Sequence, residues 1–483
     1  MERKALISQP TNLYREPSRP ARKSAPGPRG LPVLGNIPEV RSKGGLIQFY
    51  SQAHRDYGDV VRIRMGPVDQ YLIVHPDHVR HVLVANRQNY WKGAAMQRVK
   101  LLLGNGLFTS EGAFWQRQRR LMQPGFTPRG VTQFGGAMVE LIERTLARWQ
   151  APARNGAALD IGQEMMTLTM GIIAETMLSI DLTRDDVVGQ AADAGRAFAY
   201  MLEFVSAQSA SAFSWPLWVP TPANRRFKAA SALIQDFLGG VVRERRAQHE
   251  RHGPQQQDLL DTLLSARDDT TGEVMDDAQV YDEVITIFFA GHETTAQALS
   301  WAWYLLAKHP DAESRLHEEV DRVLGGRTPT LSDLPNLPYA RWVVEETMRL
   351  YPPAWIFVRE PYQDDEIGGY PIPAKSMIVL SPYLTHRHPA HWDQPEQFEP
   401  ARFAPEQAAK RHHYAYFPFG GGPRTCIGNH FALQEAHLAV AMIAQRYRLR
   451  LAKPETIEPK MAGTLRPSKP VWMRVEQRAG IGR

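Results

Sequence analysis

Between Asp276 and Pro310 the sequence reads as one helix, and at ~1.5 Å rise per residue its roughly thirty residues span ~45 Å, the width of a whole domain. Asp276 or Asp277 can cap its start, and Lys308-His309-Pro310 supplies a cation and a stop. The centre, Val284-Ile285-Thr286-Ile287-Phe288-Phe289-Ala290, is apolar almost all round. Such a helix is predicted to run through the core, not over it, so any fold must be built around it. Directly afterwards stands Gly291-His292-Glu293-Thr294-Thr295. A carboxylate and two hydroxyls buried in a helix are costly unless paired, although a threonine can bond back to an earlier carbonyl. This stretch is a candidate site. It is not a zinc-protease H-E-x-x-H, because Ala296 stands where the second histidine should be.

The rest of the chain arranges itself about that helix. Helical periodicity dominates from about residue 112 to 350 and returns from Asn429 to about Arg446. Strand-like runs occur at Val60–Arg64 and Gln70–Val74, and β-branched, proline-punctuated segments at about 355–385. The prediction is a mainly α protein with a small β-rich region. A hydrophobic fraction of 43% over 483 residues is enough for a large core. No repeat or linker divides it, so residues 26–476 are expected to form one catalytic domain. A basic, proline-containing tail (1–25) precedes it and a short tail (477–483) follows.

Residues 1–30 carry seven basic side chains against Glu2 and Glu16, which accounts for five of the six net positive charges. The body is therefore nearly neutral and offers no basic block for nucleic acid. The tail itself could touch an anionic membrane surface. No run approaches the ~18 apolar residues of a span, and the first residues lack a signal-like apolar segment. A monomeric, cytoplasmic protein is expected.

Cys426 is the only cysteine, which excludes an intrachain disulfide, a multi-cysteine zinc site, a cysteine-held iron–sulfur cluster and C-x-x-C-H haem attachment. It follows the glycine-rich run Phe419-Gly420-Gly421-Gly422-Pro423-Arg424-Thr425 and precedes a helix. Backbone amides and the helix dipole there favour a thiolate. No Lys-Ser/Thr follows the glycines, so a phosphate loop is not indicated. His430, four residues on, would make Cys426 a nucleophile–base pair. His386, His388 and His391 form a loose cluster read as structural or surface, not metal-binding.

Residues 419–428 match F-x-x-G-x-R-x-C-x-G, the haem-binding signature of the cytochrome P450 family, at every fixed position. Three further motifs resemble that family's in order and spacing. They are Ala290-Gly291-His292-Glu293-Thr294-Thr295 for oxygen activation, Glu346-Thr347-Met348-Arg349 for E-x-x-R, and Trp115-Gln116-Arg117-Gln118-Arg119 for W-x-x-x-R. The resemblance runs from about Pro26 to beyond residue 470. It departs at Ala401 and Ala25, where the family often has glutamate and proline.

The resemblance implies the cytochrome P450 fold, with haem b between the long helix and the cysteine-bearing helix. Cys426 would be the axial iron ligand, favouring O–O cleavage. Phe419 and Gly428 would border the ligand, and Gly420 to Gly422 would let the backbone approach and shield the sulfur. Arg424, Trp115, Arg119 and Arg359 would hold the propionates. Thr294 would bond the oxygen and Glu293 deliver protons, while Ala290 and Gly291 would leave the oxygen room. Glu346, Arg349 and Arg402 would form a buried structural network. Phe289, Ala290, Ala354, Trp355 and Phe357 would line the substrate pocket.

The function implied is insertion of one atom of O₂ into an apolar substrate, a fatty acid, terpenoid or steroid-like molecule, with a lean towards the fatty-acid hydroxylase branch. Electrons would pass from NAD(P)H through a separate ferredoxin or flavodoxin and its reductase. Lys410, Arg411, Arg117, Arg119 and Arg120 are candidates for its docking face. Two rival readings are a peroxygenase or peroxide-rearranging isomerase on the same fold, and a non-catalytic haem sensor.

Overall fold

The structure, a computed structural model, describes residues 23–478 apart from 95, 183–184, 211–214, 255, 257 and 269–270. Residues 1–22 of the expected N-terminal tail and 479–483 of the C-terminal one lie outside the described residues.

The long helix forms as Asp277–Lys308, and of the two candidate caps it is Asp276 that closes it, accepting the Gln279 N–H at 2.8 Å. Most side chains from Val280 to Leu306 are buried. The helix packs against Ile161–Leu178, Pro222–His252, Pro338–Leu350 and Asn429–Arg446. Towards its end Trp301 stacks on Tyr351 with ring centroids 3.9 Å apart and donates its indole N–H to the Leu465 carbonyl at 3.1 Å. A large apolar ring with its one polar atom satisfied is well suited to a core.

Gly291 owes its place to this packing. A Cβ there would stand 2.9 Å from Ile173 Cγ1 and closer still to Cδ1. The missing side chain lets the helix Ile161–Leu178 approach.

The β-rich region is a five-stranded sheet in the spatial order Val60–Met65, Val68–Ile73, Met377–Leu380, Phe357–Pro361, Tyr90–Trp91. The first two strands form a hairpin with Val60 opposite Ile73. Val68–Ile73 then pairs in parallel with Met377–Leu380, joining distant parts of the chain. The sequence did not show a second sheet, in which Trp472–Gln477 lies between Ala158–Asp160 and Tyr447–Leu451. Among the described residues no helix is long and apolar enough to cross a membrane.

Candidate active site

Cys426 sits in the loop between the glycine run and the helix Asn429–Arg446, its N–H donating to the Phe419 carbonyl at 2.9 Å. The glycines fit this loop among its neighbours more than they bare the sulfur. Gly422 has φ +64°, and a Cβ there would collide with the Leu83 carbonyl, while one on Gly421 would strike the Tyr414 ring. Cys426 is an exposed residue, yet the protein mass around it pushes the thiol pKa up, against the pull of the Gly428 N–H and Arg119.

Next to the loop lies a concentration of positive charge. Arg424 donates to the Ser110 carbonyl at 2.8 Å, pairs with Glu111, and lies over the Trp115 ring, 3.8 Å from its centroid. Arg119 donates to the Thr425 carbonyl at 2.9 Å, which ties the Trp115 helix to the cysteine loop. Arg359 bonds its own neighbour's carbonyl, Val358 O, at 2.8 Å. Lys92, which the sequence reading missed, is buried and donates to the Phe108 carbonyl.

Burial lowers the pKa of all four cations, Arg424 to about 10, and the proximity of Arg359 to Arg424 and Lys92 adds to it. Glu111 is the carboxylate that Lys92, Arg359 and Arg424 share. Three desolvated cations around one carboxylate, with Arg119 at the loop beside them, call for further negative charge. A haem with two propionates supplies it, and the donor set fits that group. Lys92 stands in Trp91-Lys92-Gly93, where no motif marks it; only its burial reveals it.

Behind the loop the Glu346 network is closed. Glu346 and Arg349 are fully buried and paired at 2.6 and 2.8 Å. Arg349 also donates to the carbonyls of His386 at 3.0 Å, Pro395 at 2.6 Å and Gln397 at 2.9 Å. Glu346 further accepts the Glu399 N–H at 2.9 Å and meets Arg402 Nε at 3.4 Å. His386 stands apart from His388 and His391. Its Nε2 accepts the Phe417 N–H at 2.9 Å, at the start of the cysteine loop, and burial beside Arg349 and Arg387 holds its pKa well below the ordinary value. The network therefore reaches the loop through a neutral histidine.

On the central helix one face is open. Within a span otherwise mostly buried, Ala290 is exposed and Phe289, Gly291 and Thr294 half-buried. Ala290 and Thr294 are one turn apart and share that face. The Thr294 hydroxyl donates to Ala290 O at 2.7 Å. Glu293 points elsewhere: it is buried and accepts from Thr464 Oγ1 at 2.7 Å, and burial raises its pKa. The structure does not bring the two side chains into a direct pair.

Of the expected pocket residues, Phe289 meets Phe198, ring centroids 5.0 Å apart, and Ala290 lies on the open face. Trp355 does not line a pocket. It is buried in a separate core with Phe49, Leu72 and Val379. Phe357 packs on Phe417, 6.1 Å away, and faces Gly420 in the cysteine loop. Ala354 is half-buried beside them. The expected docking cations are also largely engaged. Arg117 and Arg120 both reach Asp268, at 3.8 and 3.1 Å, Arg119 turns to the loop, and Arg411 lies over the Trp392 ring.

The family model of cytochrome P450 matches residues 25–475. The chain is similar to cyclooctatin synthase of Streptomyces melanosporofaciens, with 37% identity across 90% of this chain and 91% of that one. It is also similar to cyclooctat-9-en-7-ol 5-monooxygenase of the same organism, with 36% identity across 90% and 94%. Pentalenene oxygenase of Streptomyces avermitilis is 33% identical across 94% and 97%. Among solved structures, the haem domain of cytochrome P450DA superposes with a TM-score of 0.86 at 27% identity, covering 95% of this chain and 98% of that one.

Proposed function

The chain belongs to the cytochrome P450 family and is a haem-dependent monooxygenase; from that premise we propose that it oxidises a polycyclic terpenoid at an unactivated carbon, with electrons delivered from NAD(P)H by a separate protein. The observation that carries this reading is the similarity, over nearly the full length, to relatives named for cyclooctat-9-en-7-ol and pentalenene. It displaces the sequence's lean towards fatty acids. The open helix face supports it: Phe289, with Phe198 against it, and Ala290 are apolar. From Val280 to Ala307 the helix carries neither lysine nor arginine, so a fatty-acid carboxylate would find no cation on it.

Cys426 would hold the haem and Arg424, Arg119, Arg359, Lys92 and Trp115 its propionates, and the group would supply activation of O₂. The chain's own part is to position and to move protons. The Thr294 hydroxyl is the side-chain donor on the open face. Glu293, whose pKa burial raises, receives the Thr464 hydroxyl on Oε1, which leaves Oε2 free to take up or release a proton. Adjacent helix residues diverge by about 100°, so a water or a side-chain rotation must relay the proton from Glu293 to Thr294.

Titration of the haem-loaded protein, read by the substrate-induced change in the Soret band, tests the substrate class. A hydroxylated polycyclic diterpene should shift the band at least about tenfold more tightly than a long-chain fatty acid, a difference of ~1.4 kcal/mol. The reverse order would return the reading to the fatty-acid branch.

A further inference from the structure

The haem account leaves a histidine cluster unused. His54, His75, His78, His388, His391 and His412 come from four separate stretches of chain and stand ring against ring. The linking centroid distances are 5.5 Å for His54–His388, 5.7 Å for His75–His388, 5.1 Å for His388–His391, 5.3 Å for His75–His78 and 6.1 Å for His391–His412. These are six of the sixteen histidines in the chain. Imidazoles are mutually repulsive once protonated and are ordinarily spread over a surface, so their convergence needs a reason.

At the centre stands Asp59. Its Oδ1 is 3.0 Å from His54 Nε2 and 3.0 Å from His388 Nε2. The three donor atoms lie within 4.8 Å of one another, close to the spacing of ligands around a single small cation. The His54 and His388 side chains are 15% and 9% exposed, which fixes their rings, while Asp59 keeps an opening to solvent. Beside them His391 Nε2 is buried with no hydrogen-bond partner.

We propose that His54, Asp59 and His388 form a binding site for a divalent transition metal of the zinc type. Two imidazoles and one carboxylate suit zinc over calcium or magnesium, which take oxygen. Binding moves the ring protons of His54 and His388 from Nε2 to Nδ1. It gives up the 3.2 Å bond from the Ala390 N–H to His388 Nδ1 and gains the metal.

The site would join the helix Leu46–Tyr57 to the segment 386–397, whose carbonyls Arg349 holds from the other side. Metal would thus brace the support of the cysteine loop without touching the haem.

The test uses the haem-loaded, tag-free protein, in which the lone Cys426 is occupied and cannot compete. After chelation and desalting, it is titrated with Zn²⁺ by calorimetry, beside Asp59→Asn, His54→Gln and a control, His249→Gln, on a remote helix. A single equivalent is expected to bind to the parent and the control. Binding should weaken at least about tenfold in the other two variants, and saturating Zn²⁺ should raise the melting temperature by about 3 °C in the parent and the control but not in those two. The reduced, carbon-monoxide-bound spectrum of each variant reports that the haem site is intact, so failure of this proposal and failure of the haem reading are distinguishable. Equal binding by all four proteins would show adventitious surface histidines. No binding by the parent would leave only a hydrogen-bonded cluster. Either result overturns the proposal.

Discussion

The two sides of the protein core treat buried charge in opposite ways. Behind the cysteine loop, Glu346 and Arg349 are matched to each other, and their other polar atoms take up backbone groups. On the central helix Glu283 and Glu293, and on the neighbouring helix Asn429–Arg446 Glu435, are buried, and among the described residues none of them makes an ion pair. Burial raises the pKa of all three, that of Glu283 to about 8. A matched pair fixes a shape, whereas an unmatched buried acid holds a proton. The first region is built as scaffold, and in the second burial favours the protonated form of the acids.

That contrast breaks most visibly at Arg349. Arg349→Ala strands the Glu346 carboxylate and three carbonyls, so a loss of ~3–5 kcal/mol is expected. Haem retention, read as pigment per mole of protein after gel filtration, should fall with it. A variant that keeps its full haem and denaturant midpoint would show that the network does not support the loop.

On the central helix the matching experiment is pH dependence. The raised pKa of Glu283, from an ordinary 4.5 to about 8, means that the folded state holds a proton which the unfolded state has released. Its stabilising effect is complete below about 4.5 and is lost as the pH rises towards 8. The slope is at most ~1.4 kcal/mol per pH unit. Glu283→Gln keeps an oxygen for the Leu107 N–H, which the parent holds at 2.8 Å. Urea midpoints from pH 5 to 8 should therefore fall less steeply in the variant. Parallel slopes would mean that Glu283 is already ionised at neutral pH.

A smaller effect separates packing from chemistry within the oxygen-activation motif. Gly291→Ala is expected to cost ~1–3 kcal/mol through collision with Ile173, and Ile173→Ala in the same chain should restore part of it. A Gly291→Ala variant of unchanged stability but altered product yield would return Gly291 to the oxygen side.

The sequence carried the scaffold further than the chemistry. The long helix, the helix Asn429–Arg446 and the Glu346–Arg349 pair stand where periodicity and motif placed them, because each depends on residues close together in sequence, and Arg402 joins that pair from a distant segment that only the family resemblance pointed to. The second sheet was hidden, since Tyr447-Arg448-Leu449-Arg450-Leu451 alternates for a partner that arrives only at Trp472–Gln477. Lys92 was hidden for the same reason: its meaning lies in the cations around it. Trp355 was misread because an aromatic near a motif looks the same whether it faces a pocket or a separate core. Glu293 and Thr294 are adjacent in sequence, and that adjacency places their side chains on different faces.

The most direct test of the whole account is the reduced, carbon-monoxide-bound absorption spectrum of the purified protein and of Cys426→Ser. The account expects a red-shifted Soret band of the thiolate type in the parent and its loss in the variant. A histidine-type band in the parent, or a thiolate-type band that survives the substitution, would contradict it.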